Sequence, residues 1–368
     1  MSVTYGGDKI TFDDGTSIAS GYTLFRNRII NGAMEIDQRN SGASVSANDG
    51  SFAVDRTYFN MQTNSKGTGI QSSDAPAGFK NSLLYTNGSA YTVGASETYG
   101  IIQNIEGTNI ADLAWGTANA KTVTLSFWVK SSVTGLYGGV AKTTTGSPAY
   151  TYAFSYTINS ANTWEYKTVT IPGPTVGTWV TTTSIGIRLG FGLGNGSNNS
   201  IAANSWTAAN VWSVTGAVSV LATANATWQI TGIQLEVGSY ATTFERRPYG
   251  MELLLCQRYF YQWSAVNANS AIVGSGQAFG STSAYILLKT PVTMRVPPTT
   301  FSSAGSFGSN NASGGGLAVT SISLVSSWTN ENMITLQAAV SSGWTAGNAA
   351  LMNAGADATC RLNFSSEY

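Results

Sequence analysis

The chain has 368 residues, 18 basic and 18 acidic side chains, no histidine, and 42% hydrophobic residues. The apolar share supports a packed core, and the balanced charge excludes the basic stripe of a nucleic-acid binder. The missing histidine excludes Ser-His-Asp and Cys-His nucleophilic sites and His-ligated zinc. At this length two domains are expected. Charged residues make up only 10% of the chain and glycines number 41, so short strands joined by turns, solvated by hydroxyls and amides, are predicted.

Residues 1–24 read as a polar arm. Within it "KITFDDGTSI" predicts a hairpin around Asp13-Asp14-Gly15, because Asp-Gly favours tight turns. The arm is too small for its own core and is expected to dock on another surface. The opening "MSVTYGGDKITFDDG" has no basic start and no apolar h-region, so no secretory signal is read there and folding in a cytoplasm is expected. No run reaches the roughly 18 apolar residues of a membrane helix.

Residues 25–247 alternate as strands do. In "KTVTLSFWVKSS", Val123, Leu125, Phe127 and Val129 fall on one face and Thr124, Ser126 and Trp128 on the other. "AYTYAFSYTI", "WEYKTVTIPG", "SIGIRLGFGL" and "ATWQITGIQLEVG" repeat the pattern, with turn signals between them. The spacing predicts an antiparallel jelly-roll β-sandwich whose last strand ends at Val237. The glycine-rich "GLYGG" and "GFGLGNG" are read as turns, since neither opens a helix as a phosphate cradle would.

The one clear helix is "PYGMELLLCQ", placed at 248–258 as a connector, opened by Pro248 with Glu252 in its first turns. In the preceding "FERRPYG", Arg246 and Arg247 are expected to fork onto carboxylates or strand-end carbonyls, and Pro248 to stop the strand. Residues 259–368 form a second β series, expected as a smaller C-terminal β-sandwich. The class is therefore all-β. Cys256 and Cys360 are read as buried free thiols.

The segments "RNRIINGAMEIDQRN", "DLAWGTANAKTVTLSFWVKSS", "YTINSANTWEYKTVTIPG", "ITGIQLEVGSYATTFERRPYGMELLLCQRYF" and the ending Arg361-Leu-Asn-Phe-Ser-Ser-Glu367 carry a resemblance. Together they resemble tail-fibre and virion appendage proteins of bacteriophages, whose central domain is similar to carbohydrate-binding-module jelly rolls. The resemblance implies a structural or adhesion protein of the virion, made in the host cytoplasm. It also implies a homotrimer, with the arm held by other virion proteins and the C-terminal domain facing host surface polysaccharide. No heptad run or long repeat of a fibre shaft is present, which keeps open a head fibre or capsid decoration with no glycan ligand. A depolymerase is the remaining alternative, and an enzyme is not expected.

Sugar recognition in such sandwiches rests on aromatic platforms, because a pyranose face packs on an aromatic ring without needing charge. Trp206 and Trp212 stand in the long amide-rich stretch "GNGSNNSIAANSWTAANVWSVTG", with Tyr137 and Tyr150 as flanking candidates. Trp164 and Trp228, at strand starts, are read as core. Trp328 and Trp344 lie near turns of the second domain and are candidates for an outer receptor contact or for packing between copies. Jelly rolls of this kind also admit a structural calcium, for which Asn31, Glu35, Asp37 and Glu236 are the candidate ligands. The carboxylates available for glycosidase chemistry are Glu106, Asp112, Glu165 and Glu236, which sequence spacing alone does not bring together.

Overall fold

The computed structural model describes residues 3–6, 9–12, 17–19, 25–146, 149–265, 271–311 and 315–368. In the arm, strands Val3–Gly6, Lys9–Phe12 and Ser17–Ala19 form an antiparallel meander. The second and third pair as the hairpin reading requires, and its turn at 13–16 lies outside the described residues.

The next part of the chain builds two facing antiparallel sheets. One has six strands in the order Glu165–Ile171, Val123–Ser131, Thr227–Val237, Ser82–Asn87, Gly67–Ser72 and Val45–Ser46. The other has seven, in the order Ser205–Ala208, Tyr150–Ile158, Gly135–Lys142, Ile185–Asn195, Thr98–Glu106, Thr57–Met61 and Phe52–Val54. The alternation read in the sequence sets which side faces in. Val123, Leu125, Phe127 and Val129 are fully buried, and Trp128 falls on the opposite face, 5.3 Å from Tyr166. Between the sheets, Phe127 meets Tyr156 and Phe191 edge-on at 5.1 Å each, and Trp228 lies 6.0 Å from Phe191. Each such aromatic removes about 150–250 Å² from water, so this layer dominates the stability of the sandwich.

Two glycine runs read as turns are strand instead. "GLYGG" lies in Gly135–Lys142, and all of "GFGLGN" in Ile185–Asn195. The physical reason is close approach. A Cβ on Gly138 would strike Ser213 Oγ, so that strand uses glycine to let the 196–218 excursion fold over it, and a Cβ on Gly192 would lie 2.6 Å from Asn195 Nδ2 at the end of its own strand.

The helix runs Tyr249–Gln257. Arg247 bonds the Ile29 carbonyl at 3.1 Å and the Asn27 carbonyl, and sits 3.3 Å from Glu252 and 3.4 Å from Glu245. Arg246 bonds the Gly78 carbonyl and lies 4.7 Å from the Phe79 ring. Beyond the helix, strands Phe260–Ser264, Arg361–Ser365 and Thr300–Ala304 form a small sheet. The remaining strands differ from the expected second sandwich by closing into a six-stranded barrel: Ile272–Ala278, Ser283–Lys289, Met333–Val340, Gly316–Leu324, Gly308–Asn310 and Ala349–Asn353. Closure leaves no strand edge unpaired. Cys256 and Cys360 are buried and free.

The C-terminal unit is locked to the sandwich by charge. Glu106, with no exposed surface, accepts two bonds from Arg258 (2.7 and 3.0 Å) and one from the Tyr259 hydroxyl (2.6 Å). Arg56 pairs with Glu367 and lies 3.5 Å over the Tyr259 ring. Arg39 is held between Phe52 and Phe260 at 4.0 and 3.7 Å.

Candidate ligand-binding groove

The outer face of the seven-stranded sheet carries polar side chains in cross-strand register. Lys142 stands opposite Arg188, and Arg188 opposite Asn104. Asn104 accepts from Arg188 Nε at 2.9 Å and donates to the Tyr58 hydroxyl at 3.1 Å. One step along, Gly190 lies between Val140 and Ile102, and Ile102 faces Tyr58. A further step brings Gly192 opposite Gly100, and Gly100 opposite Asn60. Glycines on this face keep the floor low, and Trp212 from the excursion rises beside it. Asn60, Ile102, Gly190, Gly192, Asn195 and Trp212 are among the residues lining a hollow there.

Trp212 is half-buried, its ring 3.8 Å from Lys142 Nζ and 5.8 Å from the Arg188 guanidinium carbon. Lys142 is almost wholly buried and donates to Asn210 Oδ1 and, at 3.3 Å, to the Val211 carbonyl. Burial and the neighbouring Arg188 charge push its ammonium down to about 7. Burial also raises the Tyr58 phenol, so Tyr58 stays a neutral hydroxyl at physiological pH. The groove offers a large aromatic wall, amides, a phenol and the Arg188 guanidinium with Lys142 buried behind it, and among the described residues its own bonds involve no carboxylate.

Of the residues singled out from the sequence, Trp212 alone stands in this groove. Trp206 is not a free platform. Its strand Ser205–Ala208 pairs at the sheet edge, Trp206 opposite Tyr152, and its indole nitrogen donates to the Pro172 carbonyl at 2.7 Å. It makes a mutual edge-to-face trio with Trp115 and Trp179, with centroids 4.7–5.5 Å apart. Tyr150 is half-buried against the same core, with Gly177 alongside its ring. Tyr137 is fully buried, stacked 5.4 Å from Tyr156 with its hydroxyl donating to the Val133 carbonyl at 2.7 Å. It cannot touch a ligand, because inward alternation of its strand commits it to the core. Tyr137→Phe is accordingly expected to lose about 1 kcal/mol in denaturant unfolding and to leave ligand binding unchanged. Trp228 is core as read, whereas Trp164 is half-exposed and donates to Asp74 at 3.2 Å.

In the barrel, Trp344 is buried at 4% exposure and cannot be an outer contact. Trp328 is 57% exposed and joins Tyr285 (4.5 Å) and, through it, Phe279 (4.3 Å) in an outward aromatic strip.

The four candidate calcium ligands do not converge. Asp37 accepts the backbone N–H groups of Asn40 and Gly42, which caps a local turn. Glu236 accepts from Thr242 and Gln234 and pairs with Arg26 at 3.6 Å. Asn31 bonds the Ile36 and Asp55 carbonyls and, with Glu35, lines a hollow beside the Arg247–Glu245–Glu252 network, away from Asp37 and Glu236. Among the described residues no group of three or more Asp, Glu or Cys side chains is placed to hold a metal ion.

The scattered carboxylates are occupied too. Glu106 holds Arg258, Asp112 bonds Arg28 at 2.7 Å, and Glu165 accepts from Lys167 at 2.6 Å. Burial would raise the Glu165 carboxyl, but Lys167 and the Asn159 and Ser160 N–H groups bring it to about 2. That is the reverse of a general acid. Asp55 is pushed up to about 6 by burial, yet it is fully enclosed and bonded to Gln38 and Arg39.

Tyr58, Asn60, Asn104, Lys142 and Arg188 escaped the sequence reading. A signal existed for some of them. In "GIRLGFGLG" the apolar residues fall in one register and Arg188, Gly190, Gly192 and Gly194 in the other. A run of glycines on one face of a strand marks a close approach or a ligand floor.

No protein-family model and no curated protein matches the chain. Solved structures do. The chain is similar to the enzymatically active domain of a tailspike protein of bacteriophage CBA120, at 12% identity over 58% of this chain and 22% of that one, with a TM-score of 0.32. It is also similar to a family 4 carbohydrate-binding module (16% identity, 56% of this chain, 98% of that one, TM-score 0.29). A third is the family 11 carbohydrate-binding module of a Clostridium thermocellum cellulase (12%, 54%, 98%, TM-score 0.28). The chain spans about a fifth of the length of the tailspike domain. The groove, and not these likenesses, carries the reading that follows.

Proposed function

We propose that the protein is a non-enzymatic glycan-binding subunit of a phage appendage, a tail fibre or receptor-binding protein. In this reading it is trimeric and held to other virion proteins by its N-terminal arm. The observation that carries the reading is the half-buried Trp212 beside a glycine-floored groove with Asn60, Asn104, Asn195 and Tyr58 within the same face. A sugar ring presents an apolar C–H face and a rim of hydroxyls, and this surface offers an indole for the first and amides for the second. The bonding of Glu106, Asp112, Glu165 and Glu236 to the protein's own donors supports binding without hydrolysis. Repetition of a weak site in a trimer supplies avidity.

The test is adsorption of the labelled protein to susceptible cells, with and without periodate oxidation of surface sugars. Periodate is expected to abolish binding. Trp212→Ala is expected to weaken it at least tenfold with little change in melting temperature, while Trp206→Ala, which opens the aromatic trio, lowers the melting temperature. Full adsorption by a folded Trp212→Ala variant would reject the groove. A folded protein that binds no susceptible cell would move the assignment to capsid decoration.

A further inference from the structure

Several cations of this chain are matched. Arg26, Arg28, Arg39, Arg56, Arg247 and Arg258 each lie within ion-pair distance of a carboxylate, as do Lys130 and Lys167. Lys142 and Arg188 are not. They stand directly opposite each other on adjacent strands, and among the described residues neither has a carboxylate within 4.0 Å. Their acceptors are neutral: Asn104 Oδ1 for Arg188, and Asn210 Oδ1 with the Val211 carbonyl for Lys142.

Like charges in direct cross-strand register repel, and burying one of them adds a desolvation penalty. The depressed Lys142 ammonium is the trace of both effects. Arg188 donates through Nε to Asn104, and its two terminal nitrogens make no hydrogen bond to a described residue. A planar guanidinium fork of this kind matches a carboxylate bidentately. An uncompensated pair beneath an aromatic wall is an unfavourable arrangement for the free protein, and it becomes favourable when an anion arrives.

We infer that the groove selects an acidic saccharide, a polymer of uronic-acid type, whose ring packs on Trp212 while its carboxylate docks on Arg188 with Lys142 behind it. This rests on the glycan-binding reading and sharpens its ligand class. The pair thus sets two basic side chains in direct cross-strand register beside Trp212, where charge adds selectivity to stacking.

Titration calorimetry of the full chain at about 150 mM salt tests this with three polymers. They are polygalacturonate, the same polymer with its carboxyls reduced to alcohols, and dextran sulfate. Polygalacturonate is expected to bind at least tenfold tighter than its reduced form. Arg188→Gln should remove that difference, and Arg188→Lys, which keeps the charge without the fork, should restore only part of it. Thermal unfolding of each variant confirms that it is folded. Equal binding of polygalacturonate and its reduced form would overturn the acidic-sugar inference and leave glycan binding standing. Dextran sulfate binding as tightly as polygalacturonate, and equally to Arg188→Lys, would overturn carboxylate selectivity in favour of bulk charge. No binding of any of the three by the folded protein would overturn the inference, and periodate-sensitive adsorption to cells then decides separately whether the glycan-binding reading stands.

Discussion

Glu106→Gln is expected to destabilise the protein by about 3 kcal/mol in denaturant unfolding, and to let the C-terminal unit melt separately from the sandwich. The carboxylate is wholly buried and is the shared acceptor for Arg258, Tyr259 and Thr108. Removing one partner of a buried pair leaves the other charge uncompensated, which costs about 3–5 kcal/mol. Arg258 keeps 29% of its side-chain surface exposed, so water recovers part of that and the lower end applies. The pH dependence has a definite sign. Burial opposes ionisation of Glu106, but the bonds from Arg258 and Tyr259 outweigh it and hold the carboxyl below its ordinary 4.5. Its stabilisation is therefore present above that value and is lost as pH falls through the lowered one. The stability gap between the two proteins should close at acid pH. A loss under about 1 kcal/mol at pH 7, or a single unchanged transition, would show that the junction does not depend on this carboxylate.

Lys142→Met is expected to raise stability at neutral pH by a few kcal/mol while weakening ligand binding. Folding lowers the Lys142 ammonium from 10.5 to about 7, and each unit of such a shift is worth about 1.4 kcal/mol. Between those values the unfolded chain holds a proton that the folded chain has released, so stability rises with pH there. Below about pH 7 both states are protonated and the penalty is at its full, constant value. The advantage of the variant should thus be largest and flat below pH 7 and shrink towards pH 10. Tyr85, Tyr137 and Tyr156, whose phenols burial raises, destabilise both proteins alike as pH climbs past 10, so the difference between variant and parent isolates the lysine. Urea unfolding of both proteins from pH 6 to 10 measures it. A variant less stable than the parent at pH 6 would mean that the Trp212 and Asn210 contacts outweigh desolvation. The combination of higher stability and poorer binding is the trade expected of a site that holds strain for function.

Part of this architecture was legible residue by residue. Alternation in 123–129 gave both a strand and its buried face, and the Arg-Arg-Pro corner gave the end of the sandwich and the start of a helix. Each depends on contacts within a few residues, or on a two-residue period that any half-buried strand must obey. Other expectations failed where the deciding partner is distant. Tyr137 looked like a loop aromatic because two glycines follow it, yet those glycines answer to Ser213 and Phe154 across the fold. Trp206 looked available because its stretch is rich in amides, but pairing with Tyr150–Ile158 turned that stretch into an edge strand.

The chain by itself determined that the protein is all-β, low in charge, free of histidine chemistry and provided with aromatics in excess of what turns require. These follow from composition and local period. Only the tertiary structure decided which aromatics face solvent, that the last unit closes into a barrel, and that Tyr58, Asn104, Lys142, Arg188 and Trp212 share one surface. The physical reason is that strand order and register are set by burial summed over whole sheets, so residues more than 150 positions apart become neighbours through pairings that no local pattern encodes.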